Sequence, residues 1–92
     1  MNQIKLDNTK RYRLTKLNPD GTFEVKETGY LLNPEGVISI DVGVKVGSMS
    51  HWWITSMVTG IDKTGKGIVF ETLNSTYILE EVERVSPTKR NT

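Results

Sequence analysis

From Trp52 to Val85 the chain spells three consecutive strand-like runs, WWITSMVTGI, GIVFETL and TYILEEV. A Gly/Lys-rich loop over Asp62–Lys66 joins the first two, and a turn at Asn74-Ser75 joins the last two. β-Branched and aromatic residues suit a pleated, half-buried surface. Runs of this kind separated by short turns specify an antiparallel meander. Within them Trp52, Ile54 and Val58 fall on one face and Trp53, Met57 and Ile61 on the other; Ile68 and Phe70 alternate next, then Tyr77 and Leu79. The stretch therefore dictates an all-β domain. Only Leu79, Val82 and Val85 have a spacing that would also suit a terminal turn of helix.

Upstream the same grammar continues. Asn18-Pro19-Asp20-Gly21 and Asn33-Pro34-Glu35-Gly36 are near-copies, each suited to a type I turn by Asn in first place, Pro in second and Gly in fourth. Tyr12 and Leu14 alternate with Arg11, Arg13 and Thr15 before the first turn, and Phe23 and Val25 with Glu24 and Lys26 after it. Residues 10–17 and 22–28 thus read as a hairpin. Ile38, Ile40, Val42, Val44 and Val46 then share one face of a long period-2 run, with Gly43 and Gly47 as places for a bulge or bend. Gly47–Ser50 reads as a loop, with His51 opening the next strand.

These elements predict one all-β domain of roughly five to six mainly antiparallel strands, an SH3-like or similar open barrel, with a compact β-sandwich as the alternative. Residues 1–9 read as an N-terminal arm, 10–85 as the domain and 86–92 as a flexible tail. The predicted core is Leu14, Phe23, Val25, Ile38, Ile40, Val42, Val44, Ile54, Val58, Ile68, Phe70, Tyr77 and Leu79. At 92 residues without cysteine, that core forms without disulfides, and thiolate chemistry is excluded.

Twelve basic against eleven acidic residues leave a net charge of +1. That is too small for the broad basic footprint of a sequence-independent DNA binder, and it leaves self-association unopposed. No run approaches the length of a membrane-spanning helix and the N-terminus is polar, so the expectation is a cytoplasmic protein with no membrane partner. No cofactor is expected. With one histidine and no cysteine a zinc site would need several carboxylates. His51 beside Ser50 and Ser56 is proximity along the chain and not a catalytic triad. Asp62–Gly67 lacks the spacing and the following helix of a phosphate loop. Glu71, Glu80, Glu81 and Glu83 read as a solvated face. The expectation is a protein that is not an enzyme.

Two features carry binding. Adjacent strand residues point to opposite faces, so Trp52 and Trp53 cannot both enter a one-sided core. An exposed tryptophan is an interface anchor. With Ile54 and Val58 assigned to the core on the even-numbered face, Trp53 is the expected exposed one, and Trp53, Trp52, His51 and Met57 form the candidate protein-binding set. The alternative uses Arg11, Tyr12, Arg13, Lys63 and Lys66 to hold nucleic acid, bases stacking on the ring and cations holding the backbone. A small virion structural or assembly subunit is a third reading.

The run Thr55–Val82 resembles a recurrent ending of small β-rich proteins of phages and prophages of Gram-positive bacteria. It does so through Thr55-Ser56, Val58, Ile61, Phe70, Thr72, Asn74-Ser75, Tyr77 and Leu79-Glu80. The resemblance covers about a third of the chain. It implies a small β-domain acting inside a bacterial host, with a host protein as the expected partner and inhibition as one outcome. It carries no catalytic residues across.

Overall fold

The computed structural model describes residues 2–65 and 67–82. Within them run nine strands: β1 (Gln3–Lys5), β2 (Arg11–Leu17), β3 (Phe23–Leu31), β4 (Val37–Ser39), β5 (Lys45–Gly47), β6 (Trp52–Ile54), β7 (Val58–Thr64), β8 (Gly67–Thr72) and β9 (Thr76–Glu81). The all-β, antiparallel expectation holds. Seven strands form one sheet in the order β6-β5-β3-β2-β9-β8-β7, and β1 pairs with β4 in a second, two-stranded sheet. The large sheet does not close on itself, since β6 and β7 end it without pairing. No helix among the described residues is long and apolar enough to cross a membrane.

The strand number exceeds the expectation because two long runs break and β1 forms within the first nine residues. Within 38–46 a turn closes from Val42 N to Ser39 O at 3.3 Å, with Asp41 at φ 74°. The chain is held there by Val58, whose carbonyl accepts from Asp41 N at 2.8 Å and whose N–H donates to Val42 O at 3.0 Å. Val42 consequently points to solvent, correcting its assignment to the core. Ser56 and Met57 interrupt the run between β6 and β7, so alternation does not carry from Ile54 to Val58. Ile54 is exposed and Val58 buried. Residues 1–9 are not simply an arm, because β1 lies within them and packs Ile4 against the core. Residues 86–92 lie outside the described residues, as does the helical alternative beyond Val82.

The β2–β3 hairpin forms as expected, turning at Asn18–Gly21 with Gly21 N bonded to Asn18 O at 2.9 Å and Gly21 at φ 91°. Its interior departs from simple alternation. Leu14 pairs with Glu27 but Thr15 with Val25, so Lys26 has no partner on β2. This one-residue bulge reverses which face the rest of β3 presents. Phe23 and Val25, expected in the core, stand 61% and 56% exposed on the outer face. The second turn is type II-like, with Glu35 at φ 58°, ψ 16° and Gly36 N bonded to Asn33 O at 2.9 Å. Buried Asn33 then staples the neighbouring strand, its Nδ2 donating to Gly43 O at 2.9 Å and its Oδ1 accepting from Lys45 N at 2.8 Å. The last hairpin turns at Leu73-Asn74, one residue earlier than expected, because Thr72 N donates to Ser75 O at 2.8 Å.

The core lies between the inner face of the large sheet and the small one. It comprises Tyr12, Leu14, Leu31, Ile38, Val44, Val46, Val58, Ile61, Ile68, Phe70, Tyr77 and Leu79, with Ile4, Leu6, Ile40 and Trp53 against it. Tyr12, Leu31, Val46 and Ile61 join residues the alternation identified; Phe23, Val25, Val42 and Ile54 leave them.

Candidate partner-binding face

Register sets the outer face at the β6 end of the large sheet. Arg11 lies opposite Tyr30, Tyr30 opposite Gly47, and Gly47 opposite Trp52. Directly opposed residues point to the same side of a sheet, so one row reads Arg11, Tyr30, Gly47, Trp52 across four strands. Lys45 and Ile54, also opposed, form the adjacent row.

Gly47 shapes this face. Its φ is 144°, and a Cβ there would run into the His51 carbonyl oxygen and the Trp52 Cα. The glycine instead lets the backbone of His51 and Trp52 close directly onto it. A cavity of about 130 Å³ opens beside it, bordered by Arg11, Tyr30, Gly47, Ser48 and His51. The β5–β6 loop closes through Ser48 N to His51 O at 2.8 Å. His51 Nε2 lies 3.6 Å from Glu27 Oε1, an ion pair when the imidazole is protonated.

The aromatic rings here are partnered by cations. Lys45 Nζ stands 4.1 Å from the centroid of Trp52 and the Arg11 guanidinium 5.8 Å from that of Tyr30. Both are within reach of a cation–π attraction of about 0.5–1 kcal/mol at an exposed site. These contacts hold the rings against the sheet while leaving Trp52 46% exposed.

The two tryptophans are therefore the reverse of the expectation. Trp53 is half-buried on the inner face, its ring 5.9 Å from that of Tyr77 at 56°, and Tyr77 stacks on Phe70 at 5.4 Å and 20°. The bulged Lys26 covers Trp53, Nζ 5.5 Å from its centroid, and pairs with Glu24 at 2.9 Å. That hydrogen bond with Lys26 holds the Glu24 carboxyl below its ordinary range. Trp52 and His51 share the candidate face. Met57 is exposed in the β6–β7 connection. Tyr30, Lys45 and Ile54, which sequence reasoning did not assign to the site, complete the face. Tyr30 and Lys45 sit opposite glycine and isoleucine in register, a relation visible only once the strands pair.

The proposed nucleic-acid set is dispersed. Tyr12 is buried, its hydroxyl donating to Asp7 O at 3.0 Å, and burial raises its phenol above the ordinary value. Arg13 Nη1 lies 3.4 Å from Glu80 Oε1. Lys63 is on β7, separated from β2 by β8 and β9. Lys66 lies outside the described residues. Among the described residues no three His, Asp or Glu side chains gather as a metal site would require.

Comparison with protein-family models, with curated proteins and with solved structures finds no match.

Proposed function

We propose that this chain is a binding protein without catalytic chemistry of its own, which engages a protein partner through the outer face around Trp52, Tyr30 and Ile54. One observation carries the reading: Trp52 is 46% exposed on the same face as the exposed Tyr30 and Ile54, with a notch of about 130 Å³ beside Tyr30. Large aromatic side chains next to a notch, ringed by Arg and polar groups, are the anatomy of an interface hot spot. Arg11, Lys45 and His51 around the rim favour a partner surface with carboxylates. The resemblance of Thr55–Val82 to phage and prophage proteins supports a host protein as that partner and the bacterial cytoplasm as the place, with inhibition as the outcome of capture. The finer fold reading that accompanies it is an SH3-like open barrel, supported by the Asp41–Val58–Val42 clasp that draws the β4–β5 connection to the far edge of the sheet.

The test is recovery of partners from host lysate by wild type, Trp52→Ala and Trp53→Phe, each shown to be folded. Trp52→Ala should lose a specific partner that Trp53→Phe retains. Equal recovery by all three, or no specific partner at all, would remove the reading.

A second reading, single-stranded nucleic acid stacked on Tyr30 and Trp52, is favoured by the Arg11 and Lys45 cations beside those rings. Affinity for single strands should then fall with salt at a log–log slope of about −0.7 per phosphate neutralised. A flat response rejects it.

A further inference from the structure

Antiparallel sheets that face water on one side alternate apolar with polar residues, whereas strands covered on both sides read as unbroken apolar runs. β8 and β9 are of the second kind, with Ile68-Val69-Phe70 beside Tyr77-Ile78-Leu79. Ile68, Phe70, Tyr77 and Leu79 belong to the core, so the half-buried Val69 and Ile78 face outward. Register extends this outward set over four strands. Val69 lies opposite Ile78, Ile78 opposite Thr15, and Thr15 opposite Val25. In the next row Thr76 lies opposite Leu17, and Leu17 opposite Phe23. Opposed residues share a face. Phe23, Val25, Leu17, Ile78 and Val69 thus form one apolar patch on β3, β2, β9 and β8, in which Phe23 and Val25 are exposed. The small sheet covers the other face. Residues 83–92 carry one aliphatic side chain, Val85, too little to cover five.

A charged row borders the patch at one end. Arg13 on β2 lies opposite Glu80 on β9, and these are the two central strands of the patch. They touch once, through Arg13 Nη1 and Glu80 Oε1 at 3.4 Å, with the side chains 44% and 42% exposed. A guanidinium has five N–H donors, so most of Arg13's capacity, and Glu80 Oε2, are unspent among the described residues. A two-fold axis parallel to the strands and midway between β2 and β9 sets β2 over β9 of a second copy and β3 over its β8. Row by row, Val25 then meets Val69, Thr15 meets Ile78, and each Arg13 meets a second Glu80. Glu71 comes to the corner beside Phe23, where it stays in water. An axis running across the strands would instead set Arg13 over Leu17, a charge on hydrocarbon. The charges therefore select both the occupant and its orientation: opposite signs placed evenly about an axis are complementary to their own copy.

We propose that the outer face of β3, β2, β9 and β8 is a self-interface, through which two copies of this chain pack face to face as a β-sandwich about that two-fold axis. Sheets packed in this way lie about 10 Å apart with their strands within about 30° of each other. Four strands about 4.8 Å apart and three side-chain rows about 6.8 Å apart outline roughly 400 Å² in plan on each copy. That is about half of what each partner contributes to a standard interface. The dimer is therefore reversible, with a Kd of about 0.01–1 mM. A net charge of +1 leaves such association unopposed. Trp52 lies on β6, two strands beyond β3, so the dimer leaves the Trp52 face open and either site can fail without the other.

The test is sedimentation of the full chain from about 10 µM to about 1 mM, with amide NMR shifts followed over the same series. The average mass should rise toward that of a dimer, and shifts should move at Leu17, Val25, Val69 and Ile78 but not at Trp52. Val25→Lys places a charge in the patch at a position already exposed. It should keep the fold and weaken association at least about tenfold, while Trp52→Ala leaves association unchanged. Arg13→Glu and Glu80→Arg, each verified as folded, decide the axis. Either alone should weaken self-association at least about tenfold, because like charges meet across the interface. The two variants mixed should associate about as well as wild type, since each acidic pair then meets a basic one. A chain still monomeric at about 1 mM overturns the proposal. So does association that survives Val25→Lys, or that Trp52→Ala abolishes, either of which places the contact elsewhere. A mixture of the two charge variants that associates no better than each alone overturns it as well.

Discussion

Trp52 and Trp53 are neighbours in sequence and opposites in environment. Trp53 lies against Tyr77 on the inner face, and Tyr77 continues the stack to Phe70. Trp52 lies on the outer face with one lysine over its ring and a glycine beside it. The inner tryptophan is part of what keeps the chain folded. The outer one contributes little to folding and is available for recognition. A single step along a strand separates the two roles, because the pleat sends successive side chains to opposite sides.

Substitutions can break this contrast or sharpen it. Phe70→Ala should cost the most, about 3–5 kcal/mol, because it empties a fully buried site at the end of the aromatic stack; urea denaturation measures it, and a loss under 1 kcal/mol would disprove that role. Trp53→Ala should follow at about 2–3 kcal/mol, reduced because Trp53 is only half-buried, and it should alter the near-ultraviolet signal of the remaining aromatic residues. Gly47→Ala should cost about 1–3 kcal/mol, since φ 144° is unsuited to a side chain. It should also shift Trp52 fluorescence, which Phe70→Ala at the same fraction folded does not. Trp52→Ala should change stability by no more than about 0.5 kcal/mol while abolishing partner capture. Equal losses for the two tryptophans would erase the comparison.

The smallest effect is that of acid. Asp7 and Asp20 are held below the ordinary carboxyl value by hydrogen bonds from Thr9 and Thr22, and Glu24 by its hydrogen bond with Lys26. Each is depressed in the folded state. Their stabilisation is therefore present above the unfolded value of about 4 and lost as pH falls through the folded values. Tm should be level from about pH 5 to neutrality and decline below about pH 4. Asp20→Asn should decline less steeply. All three groups face solvent, so the slope is shallow.

The meander from Val58 to Glu81 was legible because its strands pair with their sequence neighbours and its apolar residues alternate, save at the irregularity between Val58 and Gly60 that brings Ile61 into the core with Val58. Leu14, Ile38, Val44, Val58, Ile68, Phe70, Tyr77 and Leu79 sit where that pattern puts them. The pattern misled wherever register changed. Lys26 looks like one more polar residue in an alternating run, yet its bulge carries Phe23 and Val25 outward. Ser56-Met57 looks like a continuation, yet it resets the phase between Ile54 and Val58, and with it the assignment of the exposed tryptophan. Asp41 leaves the extended conformation because Val58 binds the backbone on both sides of it, a contact between residues distant in sequence. The site was half-legible for the same reason. An exposed tryptophan was inferable from adjacency alone. Its companions Tyr30 and Lys45 depend on which strands lie side by side.

Because Lys26 stands outside the β2 ladder, the two halves of β3 can drift independently over generations. Changes at Phe23 and Val25 alter what the protein displays without passing through the filter of a packed interior. Changes at Leu31 do not escape it. A strand divided in this way lets a small domain explore new surfaces at a rate its core could not tolerate.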